Sequence, residues 1–164
     1  MEFLWSPWRY QYISKAEHEP GCVFCRAPQL GDDQASLIVY RGKLVYAILN
    51  LFPYTSGHLM IVPYQHTDSF VSLLEDTTLE MFTVAKQAQT AIESEYHPDG
   101  FNIGMNLGRA AGAGVADHIH LHIVPRWSGD ANFVSIVGET RVLPEDLSTT
   151  YQRLKSRFDH RETC

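Results

Sequence analysis

The stretch Asp117-His118-Ile119-His120-Leu121-His122-Ile123-Val124-Pro125 decides how this chain is read. Three of its eight histidines fall within five positions, alternating with Ile119 and Leu121 and followed by Ile123. Alternation at a period of two is the pattern of a β-strand, whose successive side chains point to opposite faces. On that reading His118, His120 and His122 share one face, while Ile119, Leu121 and Ile123 share the other. Imidazoles two residues apart then stand roughly 6–7 Å from one another, close enough to act on one ligand. A merely solvated strand face would more often carry Thr, Lys or Glu. A neutral imidazole is a nucleophile, a general base or a metal ligand near neutral pH. A three-histidine metal site is one reading, but ligands at steps of two on one strand rarely converge on a tetrahedron. A nucleophilic histidine flanked by two orienting or proton-transferring histidines suits the linear array better.

Just upstream lies the glycine-rich segment Gly108–Gly114. Gly108, Gly112 and Gly114 let backbone N–H groups come close to a ligand, as phosphate cradles require. A plain flexible turn is the other reading of the same residues. Beside a histidine array, phosphate contact is the better one.

Further out, Phe101–Leu107, His58–Val62, Leu44–Asn50 and Leu37–Arg41 have strand character, with Asn132–Val137 as a shorter candidate. Arg41-Gly42-Lys43 resembles a hairpin turn, Pro53–Gly57 is a second break, and residues 26–36 read as a polar loop. Thr77-x-x-Glu80 fits a capping box for a helix carrying Leu79, Phe82, Ala85, Ala88, Ile92 and Tyr96, ended by Pro98. Leu147, Tyr151, Leu154 and Phe158 mark a closing helix. The expected class is α+β: a mostly antiparallel sheet with one long helix and one C-terminal helix. Length and composition fit a single domain over residues 1–164, with 45% hydrophobic and 20% charged residues.

Thirteen basic against nineteen acidic side chains give a net charge of −6. That balance argues against a long nucleic acid or an anionic membrane held by bulk charge. It is compatible with a small anionic ligand gripped by local groups, Arg126 among them. Met1–Lys15 lacks the basic and apolar regions of a secretory signal, and no run of eighteen apolar residues occurs, so a cytoplasmic protein is expected. Trp5, Trp8, Tyr10 and Tyr12 suit packing across a subunit better than stacking on a base. Cys22-x-x-Cys25 in that setting suggests metal binding or redox chemistry, whereas Cys164 reads as a tail residue without a role. His18 and His160 read as solvated, His97 as a helix-end residue, and His58 as the start of a strand whose position also allows a pocket role.

The segment His118–Val124 resembles the His-φ-His-φ-His-φ-φ signature of the histidine triad superfamily of nucleotide hydrolases and transferases. Asn50, Gly57-His58-Leu59-Met60-Ile61-Val62-Pro63, His66 and Asn102-Ile103-Gly104-Met105-Asn106 follow in the family's order, so the resemblance covers roughly residues 20–127. Leu4–Arg9 and Pro125–Phe133 are similar to a bacterial branch of diadenosine tetraphosphate phosphorylases and hydrolases. The resemblance implies that His120 attacks an α-phosphorus to give a nucleotidyl-histidine, which inorganic phosphate or water then releases. It implies that His118 orients the nucleophile, that His122 contacts phosphate and assists the leaving group, and that Asn50 binds ribose. Asn106 and the Gly112-Ala113-Gly114 backbone would hold phosphate oxygens; many relatives carry Ser or Thr where Gly114 stands, so the backbone bears more of that task. A structural Zn²⁺ on Cys22, Cys25, His66 and His118 is implied too, with a homodimer, or a tetramer, as the assembly. Phosphorolysis of a dinucleoside polyphosphate is favoured; hydrolysis of adenosine phosphoramidates and non-catalytic nucleotide binding are the alternatives.

Overall fold

The computed structural model describes residues 21–130 and 145–159. Five strands form one antiparallel sheet: β1 (Ile38–Arg41), β2 (Val45–Leu49), β3 (Leu59–Pro63), β4 (Gly100–Met105) and β5 (Leu121–Arg126), in the order β1-β2-β3-β5-β4. Among the described residues four α-helices accompany it: α1 (Val23–Arg26), α2 (Asp33–Ser36), α3 (Glu75–Tyr96) and α4 (Leu147–Asp159). The expected α+β class is found, with a strand in each expected segment that lies among the described residues. Asn132–Val137, the N-terminal aromatic group, His18, His160 and Cys164 lie outside the described residues.

Both long helices cover one face of the sheet. Val45, Ala47 and Leu49 of β2, Leu59 and Ile61 of β3, and Ile119, Leu121 and Ile123 pack with α3 and with Tyr151, Leu154 and Phe158 of α4. On the opposite face Ile38, Tyr46, Ile48, Met60 and Val62 pack with Phe24 and Ala27 from the segment around α1. β2 and β3 are therefore buried on both sides along their whole length, as their unbroken apolar runs require. The histidines, out of phase with Ile119, Leu121 and Ile123, fall on the α1 face.

Three expectations are corrected. Residues 26–36 are largely helical, not a loop: a 3₁₀ turn over Ala27–Gln29 leads to α2, where Asp32 accepts the Ala35 N–H at 3.0 Å. Thr77 and Glu80 form no capping box, because α3 starts at Glu75 after Leu74. Thr77 is buried within the helix, while Glu80 reaches the β1–β2 turn and accepts the N–H groups of Lys43 at 2.7 Å and Leu44 at 3.0 Å. The buried stripe of α3 is Thr77, Met81, Val84, Ala85, Ala88, Ala91 and Ile92. Leu79 and Phe82 are exposed at 69% and 45%: at 100° per residue, Leu79 lies nearly opposite Thr77. The helix ends where expected, with His97 in the left-handed region before Pro98 and its N–H on the Glu93 carbonyl.

Candidate active site and metal centre

The histidines stand where the chain enters β5. Ile119 donates its N–H to the Thr67 carbonyl at 2.8 Å, and ladder pairing begins only at Leu121, opposite Ile61 and Met105. His118 and His120 thus belong to an extended lead-in rather than to the paired strand, a small correction to the sequence reading. Alternation persists through it: Ile119 and Leu121 enter the helix-side core, and the histidines take the other side.

His120 is nearly enclosed, and its Nδ1–H donates to the His118 carbonyl at 2.9 Å. A carbonyl only accepts, so the ring's proton sits on Nδ1 and the lone pair on Nε2. Burial pulls the His120 pKa below its ordinary value, opposed in part by that hydrogen bond. The ring is therefore neutral at physiological pH, in the tautomer a nitrogen nucleophile needs.

His122 reaches the same state by another route. Its Nδ1 lies 3.0 Å from Nε2 of His58, and His58 Nδ1 accepts the Tyr54 backbone N–H at 3.2 Å. The backbone donor assigns the His58 proton to Nε2, which donates to His122 Nδ1 and leaves the His122 proton on Nε2. Burial, then the neighbouring His120, lower the His122 pKa to about 4. The two triad rings meet edge to face with centroids 4.7 Å apart, nearer than the strand repeat alone gives, because the rings turn toward each other.

His58 is the residue whose importance sequence reasoning understated. It is fully buried, stacks on Tyr54 at 4.9 Å and joins His122. Its signal was a histidine heading the apolar run Leu59–Val62, a place where a polar side chain needs a partner.

His118 turns away from this group. Its Nε2–H donates to the Pro63 carbonyl at 2.9 Å, so Nδ1 carries the lone pair. That Nδ1 lies 3.3 Å from Cys22 Sγ, 3.6 Å from Cys25 Sγ and 3.2 Å from His66 Nδ1; Cys25 Sγ is 3.3 Å from His66 Nδ1. One donor atom from each of these four residues falls within 4.8 Å of the rest. Two sulfurs and two imidazole nitrogens in one such group are the donor set of tetrahedral zinc. Burial and the adjacent Cys22 push the Cys25 thiol up, a resistance to ionisation that a divalent cation would relieve. The donors fit the metal.

The proposed ligand contacts are partly engaged within the protein. Asn50 stands just past β2, its Oδ1 accepting the Phe52 N–H at 2.9 Å. Asn106 follows Met105, the partner of Leu121, so the next position along the register is that of His120. The glycine segment contains a 3₁₀ turn, with Gly108 and Gly112 at φ of 79° and 89°, where a Cβ would be strained. Gly112 and Ala113 direct their N–H groups to Arg109 O and Gly108 O at 3.0 and 3.4 Å. Arg126 is bound to Asp130 through Nε and Nη2 at 2.6 and 2.9 Å and to Asn102 at 2.6 Å. Its charge is balanced by that carboxylate.

A sheet of this order with three histidines at the entry to an interior strand is a specific arrangement rather than a general α+β scaffold. The chain matches the HIT domain family over residues 32–129 and belongs to that family. It is 40% identical to the AP-4-A phosphorylase of Mycobacterium tuberculosis, over 96% of this chain and 85% of that protein. It is 34% identical to the asymmetrical bis(5'-nucleosyl)-tetraphosphatase of Schizosaccharomyces pombe, over 58% of this chain and 52% of that one. Its fold matches a Zn-bound histidine triad family protein from Mycobacterium smegmatis with a TM-score of 0.70 and 30% identity, covering 87% of this chain and 96% of the other. Among the described residues no helix is long and apolar enough to cross a membrane.

Proposed function

We propose that this protein is a dinucleoside polyphosphate phosphorylase or hydrolase, with diadenosine tetraphosphate as substrate and phosphorolysis as the favoured reaction. The observation that carries the reading is the hydrogen bond from His120 Nδ1 to the His118 carbonyl, which leaves the Nε2 lone pair of a buried neutral ring. The kinship with the mycobacterial AP-4-A phosphorylase supports phosphorolysis over hydrolysis.

In this reading His120 Nε2 attacks an α-phosphorus, a P–N bond forms, and the P–O bond to the departing nucleotide breaks. His122, its proton on Nε2, hydrogen-bonds the leaving oxygen and stabilises the charge that develops there, keeping its proton, with His58 holding the ring in that tautomer. An oxygen of inorganic phosphate then attacks the same phosphorus, the P–N bond breaks, and ADP leaves with His120 restored. Water in place of phosphate gives AMP. Two displacements at one phosphorus split a difficult step into two easier ones. Asn50 binds the ribose, and Asn106 with the Gly112-Ala113-Gly114 segment faces the phosphates.

Cys22, Cys25, His66 and His118 would hold Zn²⁺. With all four positions filled by protein the ion would be structural, tying α1 to the lead-in of β5. A homodimer is the proposed assembly, supported by β4, a sheet-edge strand whose Ile103 is exposed.

The test incubates diadenosine tetraphosphate with and without inorganic phosphate and identifies the products. ADP plus ATP only with phosphate supports phosphorolysis, and AMP plus ATP in water supports hydrolysis. Unchanged turnover in His120→Gly would sink the covalent route. Tight nucleotide binding without turnover in the wild type would favour a binding protein.

A further inference from the structure

Helix α1 carries a residue that neither the metal cluster nor the triad accounts for. Phe24 lies in sequence between Cys22 and Cys25, is 5% exposed, and touches both kinds of histidine. Its ring centroid is 5.5 Å from that of His118, edge-on at 74°, and 4.9 Å from that of His120, tilted at 48°. Its carbonyl accepts the Tyr46 O–H at 2.6 Å, and Tyr46 is a fully buried residue of β2. Phe24 is therefore anchored through its backbone to the middle of the sheet and through its ring to the nucleophile candidate.

His120 is steered by one hydrogen bond, from Nδ1 to the His118 carbonyl. A single bond fixes one ring atom and leaves the plane of the ring to its packing neighbours. Phe24 supplies one such wall and His122 another. The place of Phe24 depends in turn on the cysteines on either side of it, whose sulfurs converge on His66 and His118.

We propose that Phe24 is a positioning residue through which the Cys22–Cys25–His66–His118 centre sets the orientation of the His120 ring. Gathering the four donors holds α1 where Phe24 meets His120. Releasing them frees the chain on both sides of Phe24, leaving the Tyr46 bond and the apolar packing with Ile48, Met60 and Val62 to retain it. The proposal rests on the reading of His120 as nucleophile. It deepens that reading by making the metal centre act on catalysis without touching substrate.

The experiment compares wild type with Phe24→Leu, which keeps apolar bulk but no aromatic wall, and with Tyr46→Phe, which removes only the anchoring hydroxyl. Three quantities are read: zinc per chain by elemental analysis, kcat and KM for diadenosine tetraphosphate with phosphate, and the His120 tautomer by long-range ¹H–¹⁵N correlation. Phe24→Leu is expected to keep its zinc and a KM within about twofold, and to lose about tenfold or more in kcat, the scale on which small misplacements of a reacting group act. In wild type the His120 ring signals shift when zinc is removed; in Phe24→Leu the shift is smaller, since the route through the His118 carbonyl remains. Tyr46→Phe is expected to lower kcat several-fold at unchanged KM, a fraction of that loss. Unchanged kcat in both variants overturns the proposal, as does an equal response of His120 to zinc removal in wild type and Phe24→Leu. A raised KM with kcat retained also overturns it and makes Phe24 a wall of the substrate pocket. His120→Gly separates the two readings: normal turnover there sinks the nucleophile itself, whereas loss there beside an unaffected Phe24→Leu sinks only the coupling.

Discussion

His58 and His122 meet nitrogen to nitrogen at 3.0 Å, one just before β3 and the other within β5. The ladder brings them together: Met60 pairs with His122, and His58 is two residues from Met60 on the same face. Diagonal neighbours of this kind are within reach of long side chains. The Tyr54 N–H then orders the pair, so that a backbone donor at the end of a chain of two rings determines which nitrogen of His122 carries a proton.

Replacing His58 by Ala is expected to lower kcat about ten- to a hundredfold while leaving KM nearly unchanged, on the scale of a perturbed donor to developing charge. It should also destabilise the fold by about 1–3 kcal/mol, because His122 Nδ1 loses its donor in a buried place. Steady-state kinetics and urea unfolding read the two effects. An unaltered kcat would mean that His58 only fills space.

Stability should fall on acidification through a defined window. Folded His122 titrates at about 4 against an ordinary value of 6.5, so between those values the unfolded chain binds the additional proton. The His122 contribution is complete above about pH 6.5, declines as pH falls, and levels off below about 4, amounting to at most about 3 kcal/mol. His120 is shifted in the same direction, chiefly by burial, and steepens the slope. Urea unfolding at pH 7.5, 6.0 and 5.0 measures it; stability rising toward acid would contradict the assignment.

Purified protein is expected to hold about one zinc per chain, and Cys22→Ser to hold much less. Chelation should lower the melting temperature of the wild type and have little effect on the variant, since ligand binding to the folded state alone stabilises it. Equal melting curves for wild type with and without chelator would dismiss the site.

Glu80→Ala should cost about 1–3 kcal/mol, because the N–H groups of Lys43 and Leu44 lose their shared carboxylate. Gly42→Ala should be destabilising as well: a Cβ there would collide with the Glu80 carboxylate and lie 2.9 Å from Val45 O. In the Glu80→Ala background the same substitution should cost less, as a double-mutant cycle by denaturant unfolding would show. Strict additivity would disprove the contact.

Much of the fold was legible because the relevant signals are local. Alternation over His118–Ile123 places the two faces correctly, and turn chemistry marks the hairpin around Gly42, the break at Pro53–Gly57 and the stop at Pro98. The α3 stripe was misphased because Leu79 and Phe82 are apolar yet face solvent, and periodicity reads residue type rather than environment. A capping signature occupies four adjacent residues and so points Glu80 to its own helix, whereas its actual partners are Lys43 and Leu44, 37 and 36 positions away. His58 and Phe24 were underread for the same reason: each draws its meaning from a ring far along the chain.

The interior place of β5, paired on both edges, has a consequence for how such a chain can diversify. One residue added or lost before Leu121 would rotate the whole segment, driving the imidazoles into the helix side and the aliphatic residues out. Length is therefore fixed across the reacting segment. A connection that carries no residue of the site and no ladder pair, such as residues 30–32, should accept an insertion, while the five positions from His118 to His122 admit none.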